Sequence, residues 1–265
     1  MSFLHLLNTG KIPHTISKLV NLRSFDVHDN KLTGEIPTAV GQMRGLGELS
    51  LSSNCFSGSI PSSIWKLRLQ ILDISNNHLS CSLPQNLGDA IAIKRLILSQ
   101  NWLFGTLPSS IGKLSALTML DIRSNRLTGV LDPSIWTLSK LKLLYFQENK
   151  LRGLEFPEIL STRRLVGLFG GYNCLEGKIP EMIYSLESLQ YLSLNRNRLE
   201  GTVSSNIGKL KNLFVLSLSH NILYGSVPSS IGNLTNMRQL LLNNNQFSGA
   251  FPRYVLFILV YFFST

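Results

Sequence analysis

The stretch Leu189-Gln190-Tyr191-Leu192-Ser193-Leu194-Asn195-Arg196-Asn197-Arg198-Leu199 decides how the whole chain is read. Leu192-Ser193-Leu194 alternates with period two, the pattern of a short strand with one buried and one exposed face. Leu189 and Leu199 add apolar sites on either side, and Asn197 stands where the strand ends. The same arrangement returns as Leu213, Leu216, Leu218, Asn221 and Leu223. Aligned on its asparagine it recurs at Asn30, Asn54, Asn77, Asn101, Asn125, Asn149, Asn173, Asn197, Asn221 and Asn245, at a spacing of 24 residues and once of 23.

A second signature follows the asparagine, seen as Gly34-Ile36-Pro37, Gly58-Ile60-Pro61, Gly105-Leu107-Pro108, Gly177-Ile179-Pro180 and Gly225-Val227-Pro228. A unit of this length cannot bury its own leucines, so neighbours must stack, with strands pairing in parallel at about 4.8 Å per rung and ten rungs spanning roughly 45 to 50 Å. The asparagine amide is placed to satisfy backbone groups that no strand ladder reaches. Glycine then supplies a permissive backbone, and proline fixes φ before the runs Ser109 to Leu114 and Ser229 to Leu234, which form the outer face.

Composition agrees with a folded array. Over 265 residues, 44% are apolar and 15% charged, which excludes a disordered chain. The net charge of +10 suits acidic partners without choosing among them. Cys55, Cys81 and Cys174 have no metal-ligand spacing, and Cys55 and Cys174, five rungs apart, are too distant to form a disulfide. Met1 to Asn8 lacks the basic region of a complete signal peptide. Tyr254 to Phe263 is ten apolar residues, about half of a spanning helix, and reads either as the start of one or as a replacement for the last repeat and cap.

The repeated residues resemble the plant-type extracellular leucine-rich repeat, L-x-x-L-x-L-x-x-N-x-L-x-G-x-I-P-x-x-I-G-x-L, from about Leu22 to Pro252. The resemblance implies an α/β-type repeat solenoid, a right-handed superhelix with a concave parallel β-sheet and an irregular or 3-10 outer face, often with a second short sheet at Gly-x-Ile-Pro. Residues 1–21 then form a damaged N-terminal repeat, 22–252 the ten repeats and 253–265 an apolar tail that is neither a full repeat nor a full transmembrane helix. Members of this kind are ectodomains of receptor-like kinases or receptor-like proteins at the cell surface or in the apoplast. They bind a peptide or protein ligand and signal through a partner such as a co-receptor kinase. A secreted polygalacturonase inhibitor is the alternative, and an intracellular repeat scaffold the third. The sequence departs from the pattern in lacking cysteine-paired caps. Within the array Cys81 replaces a glycine, Asp132 and Ser204 replace prolines, and Gly170 replaces the second strand leucine. Phe156-Pro157 comes one residue late, so local irregularity is expected there.

The strand positions expected to face solvent are the two residues before the Leu-x-Leu pair, the residue between its leucines and the two residues before the asparagine; the middle column runs Asp26, Ser50, Asp73, Ile97, Asp121, Tyr145, Phe169, Ser193, Ser217 and Leu241. Adjacent rungs bring Tyr145, Phe169 and nearby Tyr172 into an exposed aromatic cluster, with Gly170 and Gly171 leaving room beside it. Exposed aromatics mark binding surfaces, so this is the candidate ligand site, rimmed by Arg123, Gln147, Glu148, Asn195 and Arg196. Arg196 and Arg198 straddle the ladder asparagine and form no carboxylate-reading pair. His220 has Ser217 and Ser219 beside it but no carboxylate on its rung, and His28 completes no triad either, so no catalytic residue is expected. No phosphate loop or kinase motif is present, and no metal, cofactor or nucleic-acid partner is expected. Any membrane attachment would come from a segment missing or truncated here. Asn233-Leu234-Thr235 is the one glycosylation sequon, on the outer return segment. Lys66, Lys113, Lys140, Lys209 and Lys211 place much of the basic excess on that outer face, where it reads as solvated charge.

Overall fold

The computed structural model describes residues 9–252. Ten three-residue strands, from Ser24–Asp26 to Gln239–Leu241, form one parallel sheet in chain order. Their register never slips: Leu120, Leu144, Leu168, Leu192 and Leu216 stand side by side on successive strands and are all buried. These columns, with the leucines and isoleucines of the return segments, make one continuous apolar core along the array.

At the end of every strand the chain turns inward, and the residue just before each ladder asparagine takes a left-handed conformation, with φ between 52° and 58°. Asp29, Ser53, Glu148, Tyr172 and Arg196 are among them. The asparagine holds that turn. Asn125 Nδ2 donates to the carbonyls of Leu98, Ile122 and Arg123 at 3.0, 3.2 and 3.1 Å, and its Oδ1 accepts from the Leu103 N–H at 3.0 Å. Every side chain from Asn54 to Asn245 repeats this bridge to the preceding rung, as Asn54 does to Leu32 and Asn245 to Leu223.

Past the asparagine, short strands build a second set of parallel sheets, broken into three. Gly58 and Gly105 take φ of 76° and 79°, a kink an L residue rarely adopts. Between them Cys81 has a negative φ, and only an isolated bridge, Ser82 to Phe104, crosses the gap. The second break follows Lys150–Leu154, whose Gly153 also lacks the kink.

Nine 3-10 helices of five residues return the chain along the outer face among the described residues. Most are preceded by proline. Where Asp132 and Ser204 replace it, the side chain caps instead: Asp132 Oδ1 accepts from Ser134 N–H at 2.9 Å, and Ser204 Oγ from Asn206 N–H at 3.2 Å. The repeat after Asn149 has no 3-10 helix. There Phe156 stacks on Trp136 at 4.2 Å, and the Trp136 indole donates to the Glu155 carbonyl at 2.7 Å. The tail from residue 253, and the first eight residues of the segment read as a damaged repeat, lie outside the described residues.

Two outcomes check this account. Asn125→Ala removes four hydrogen bonds and leaves buried backbone groups unpaired, so urea unfolding should show a loss of about 2 to 4 kcal/mol. A loss below about 1 kcal/mol would mean those groups find other partners. Asp132→Ala and Ser204→Ala should each cost about 1 kcal/mol as lost caps, and no loss at either would show that the cap bonds are not stabilising.

Candidate functional site

The register sets Tyr145 beside Phe169 and Gly167 beside Tyr191 on the concave sheet. Tyr145 and Phe169 stack with centroids 4.6 Å apart and planes 7° from parallel. The stack then continues beyond the expected pair, to Tyr191 at 6.1 Å from Phe169 and to Phe214 at 6.0 Å from Tyr191, edge on. Arg123 lies over Tyr145 at 5.6 Å, and Arg238 over Phe214 at 4.8 Å. The result is a diagonal track of four half-buried rings with a guanidinium at each end.

One glycine makes the diagonal possible, and it is not either of those expected from sequence. A Cβ on Gly167 would stand 2.5 Å from the Phe169 ring, so its absence lets that ring lie towards Tyr191. Gly170 instead faces the core, where the Phe146 ring fills the space of the missing leucine, 2.2 Å from where a Cβ would be. The space beside Gly171 is taken by the Asn195 side chain, whose Oδ1 accepts from Ser193 Oγ at 2.8 Å.

The remaining expected residues divide. Tyr172 is 49% exposed but has no ring contact with the track; its left-handed backbone directs it to the sheet edge, under Arg196 at 5.0 Å. Arg198 is in a different sheet, paired with Glu176 at 3.2 Å, which separates it from Arg196. Glu148 Oε2 accepts from Ser124 Oγ at 2.7 Å, while Gln147 Oε1 is buried with no hydrogen-bond partner among the described residues. Tyr191, Phe214 and Arg238 stand at positions expected to face solvent but were not joined to the cluster, because they lie one or two residues before the strand leucines and out of line with Tyr145 and Phe169. Their residue types were visible, but only the ring geometry joins them.

The column expected to face solvent is partly covered by its own neighbours: Ile97, Asp121 and Ser217 are buried. Asp121 is 2% exposed and pairs with Arg123 at 3.3 Å. Burial raises its pKa above the usual carboxylate value, although the Arg123 N–H and guanidinium work against the shift. At the other end, His28 Nδ1 meets Asp26 Oδ1 at 2.7 Å, and that hydrogen bond raises the imidazole pKa. Asn233 and Thr235 are exposed, and the three cysteines are free.

Leucine-rich repeat family models match residues 20–79, 92–114, 116–138, 188–210 and 212–234, more than half of the sequence. No curated protein matches. Solved structures do. PEPR1 in its complex with AtPEP1 is 33% identical at a TM-score of 0.90, with 93% of this chain and 35% of that chain covered. The plant peptide hormone receptor RGFR1 with RGF2 is 31% identical at 0.87, with coverage of 91% and 43%. The HAESA ectodomain of Arabidopsis, with an extended IDA peptide hormone ligand, is 29% identical at 0.79, with coverage of 94% and 46%. This chain therefore spans less than half the length of each.

The raised pKa of Asp121 has a definite sign. Folding favours its protonated form, so its contribution to stability is full below the unfolded-state value and is lost as pH rises through the higher folded-state value. Melting curves of the parent and Asp121→Asn from about pH 3.5 upward should therefore diverge in favour of the variant as pH rises through the carboxylate range. Parallel curves would show that the buried carboxylate carries no such penalty.

Proposed function

The chain belongs to the leucine-rich repeat family, and on that premise we propose that it is a non-enzymatic recognition module, the ectodomain or part of the ectodomain of a plant receptor-like kinase or receptor-like protein. Its ligand is a peptide or protein laid along the concave sheet. Tyr145, Phe169, Tyr191 and Phe214 offer the ring surface left open to solvent to its apolar side chains, and Arg123 and Arg238 offer charge to its carboxylates. The track is the observation that carries this reading: four aromatic rings left half open to solvent form the kind of anchor that dominates binding surfaces. RGFR1, a peptide hormone receptor in complex with RGF2, and HAESA, in complex with an IDA peptide hormone ligand, support the ligand class.

Because the strands are locked in register, the surface is preformed and binding incurs little loop-ordering cost. Signalling passes to a partner such as a co-receptor kinase, and the module lies at the cell surface or in the apoplast. Asn233 carries a glycan there, and membrane attachment comes from sequence outside the described residues.

The test is a calorimetric titration with a panel of synthetic peptides that includes AtPEP1, RGF2 and IDA. For a peptide that binds, Tyr145→Ala with Phe169→Ala should weaken affinity roughly 10- to 100-fold while the far-ultraviolet spectrum is retained. Unchanged affinity for a bound peptide would remove the track as its site.

A further inference from the structure

The leading rim of the concave sheet, where the strands begin, carries a second surface that shares no residue with the aromatic track. Arg23, Arg44 and Arg68 come from three successive rungs and line one open cleft of about 550 Å³. All three are exposed, and none has an ion pair among the described residues. Arg23 is partly held by its own donation to the Gly45 carbonyl at 3.3 Å. Gly45 lies so close to the Val20 carbonyl that a Cβ would stand 2.6 Å from it, so no side chain can fill the cleft from that position. The next rung extends the charge with Lys94, whose Nζ donates to Gln70 Oε1 at 2.9 Å, and with exposed Arg95.

Negative charge is scarce and already engaged. Glu48 is the only carboxylate lining the cleft, and it accepts from Ser24 Oγ at 3.3 Å. Asp26 and Asp73 lie further along the same strands, bonded to His28 at 2.7 Å and to Ser75 Oγ at 2.6 Å. Five cations over four rungs thus face solvent with one local carboxylate, although the outer-face lysines would by themselves account for a solvated excess.

We propose that this rim binds a linear acidic polysaccharide, a chain of uronate units whose carboxylates run along successive rungs. The geometry selects the ligand class. The exposed guanidiniums of Arg23, Arg44 and Arg68 come from different positions on three neighbouring rungs, whose strands lie about 4.8 Å apart, and together make an extended basic strip suited to a polymer with a carboxylate on every unit. A single phosphate or sulfate would instead call for buried, fixed donors, and the cleft has only exposed cations. Single-stranded nucleic acid would call for aromatic platforms, and the cleft lining has none. The apoplast proposed for this chain is compatible with a carbohydrate ligand.

The experiment measures binding of the full chain to sodium polygalacturonate oligomers and to their methyl-esterified, uncharged form. Binding to the acidic form should fall steeply between about 25 and about 300 mM salt, and the ester should not bind. Arg23→Gln, Arg44→Gln and Arg68→Gln together should weaken it at least about tenfold, whereas Lys113→Gln, Lys150→Gln and Lys209→Gln, the same change in net charge elsewhere, should cost less than about twofold. The Tyr145→Ala, Phe169→Ala variant should bind the polymer normally, so failure of the peptide reading and of this one are separable. Equal losses in the two triple variants, equal binding of the ester, or tighter binding to single-stranded DNA or anionic lipid vesicles would overturn the proposal.

Discussion

A backbone that leaves a strand and turns into a protein core takes unpaired N–H and C=O groups with it, and one amide side chain per repeat resolves that problem here. From Asn54 onward each ladder asparagine accepts one N–H of the preceding rung and donates to carbonyls of both rungs. Because the bond partners belong to neighbours, no repeat can adopt its turn alone. The same dependence forces the strands into an unslipped register, and register is what lines up side chains from distant parts of the sequence.

The amide's reach explains why the period was so readable. An interaction with fixed geometry demands one residue type at one position, so ten asparagines stand out of an otherwise variable chain. The left-handed residue before each of them left no such mark. Asp29, Glu148, Tyr172 and Arg196 share no chemistry, and their backbone is dictated by the turn around them. Asp132 and Ser204 read as damage in a proline column, yet each replaces a restricted φ with a side-chain hydrogen bond. Gly170 read as the loss of a strand leucine, and the space is filled by Phe146 from the neighbouring rung. In both cases what mattered was a partner that a column-by-column comparison does not display.

The candidate site shows the same division. Tyr145 and Phe169 were visible as neighbours because they occupy one column on adjacent rungs. Tyr191 and Phe214 belong to other columns and join the track only because the Phe169 ring lies over Gly167. Tyr172 was expected in the cluster from its place in the sequence, but the backbone conformation at the strand exit carries it to the edge. Side-chain direction, rather than proximity along the chain, decides membership.

The interruptions in the second sheet have a consequence for how the molecule opens. After Cys81 and again after Leu154 the repeats are joined by the concave sheet and the core but not by a second run of strand pairing. In an array where each repeat touches only its neighbours, cooperativity is the product of successive interfaces, and a thinner interface is where it fails first. The second set of sheets accordingly marks out three blocks, and the two boundaries between them are where amide exchange should first become independent. The aromatic track crosses from the second block into the third, since Tyr145 and Phe169 lie on either side of the Leu154 break. A molecule bound across those rings would tie the two blocks together, and occupancy would be reported as slower exchange at a boundary that it does not itself touch.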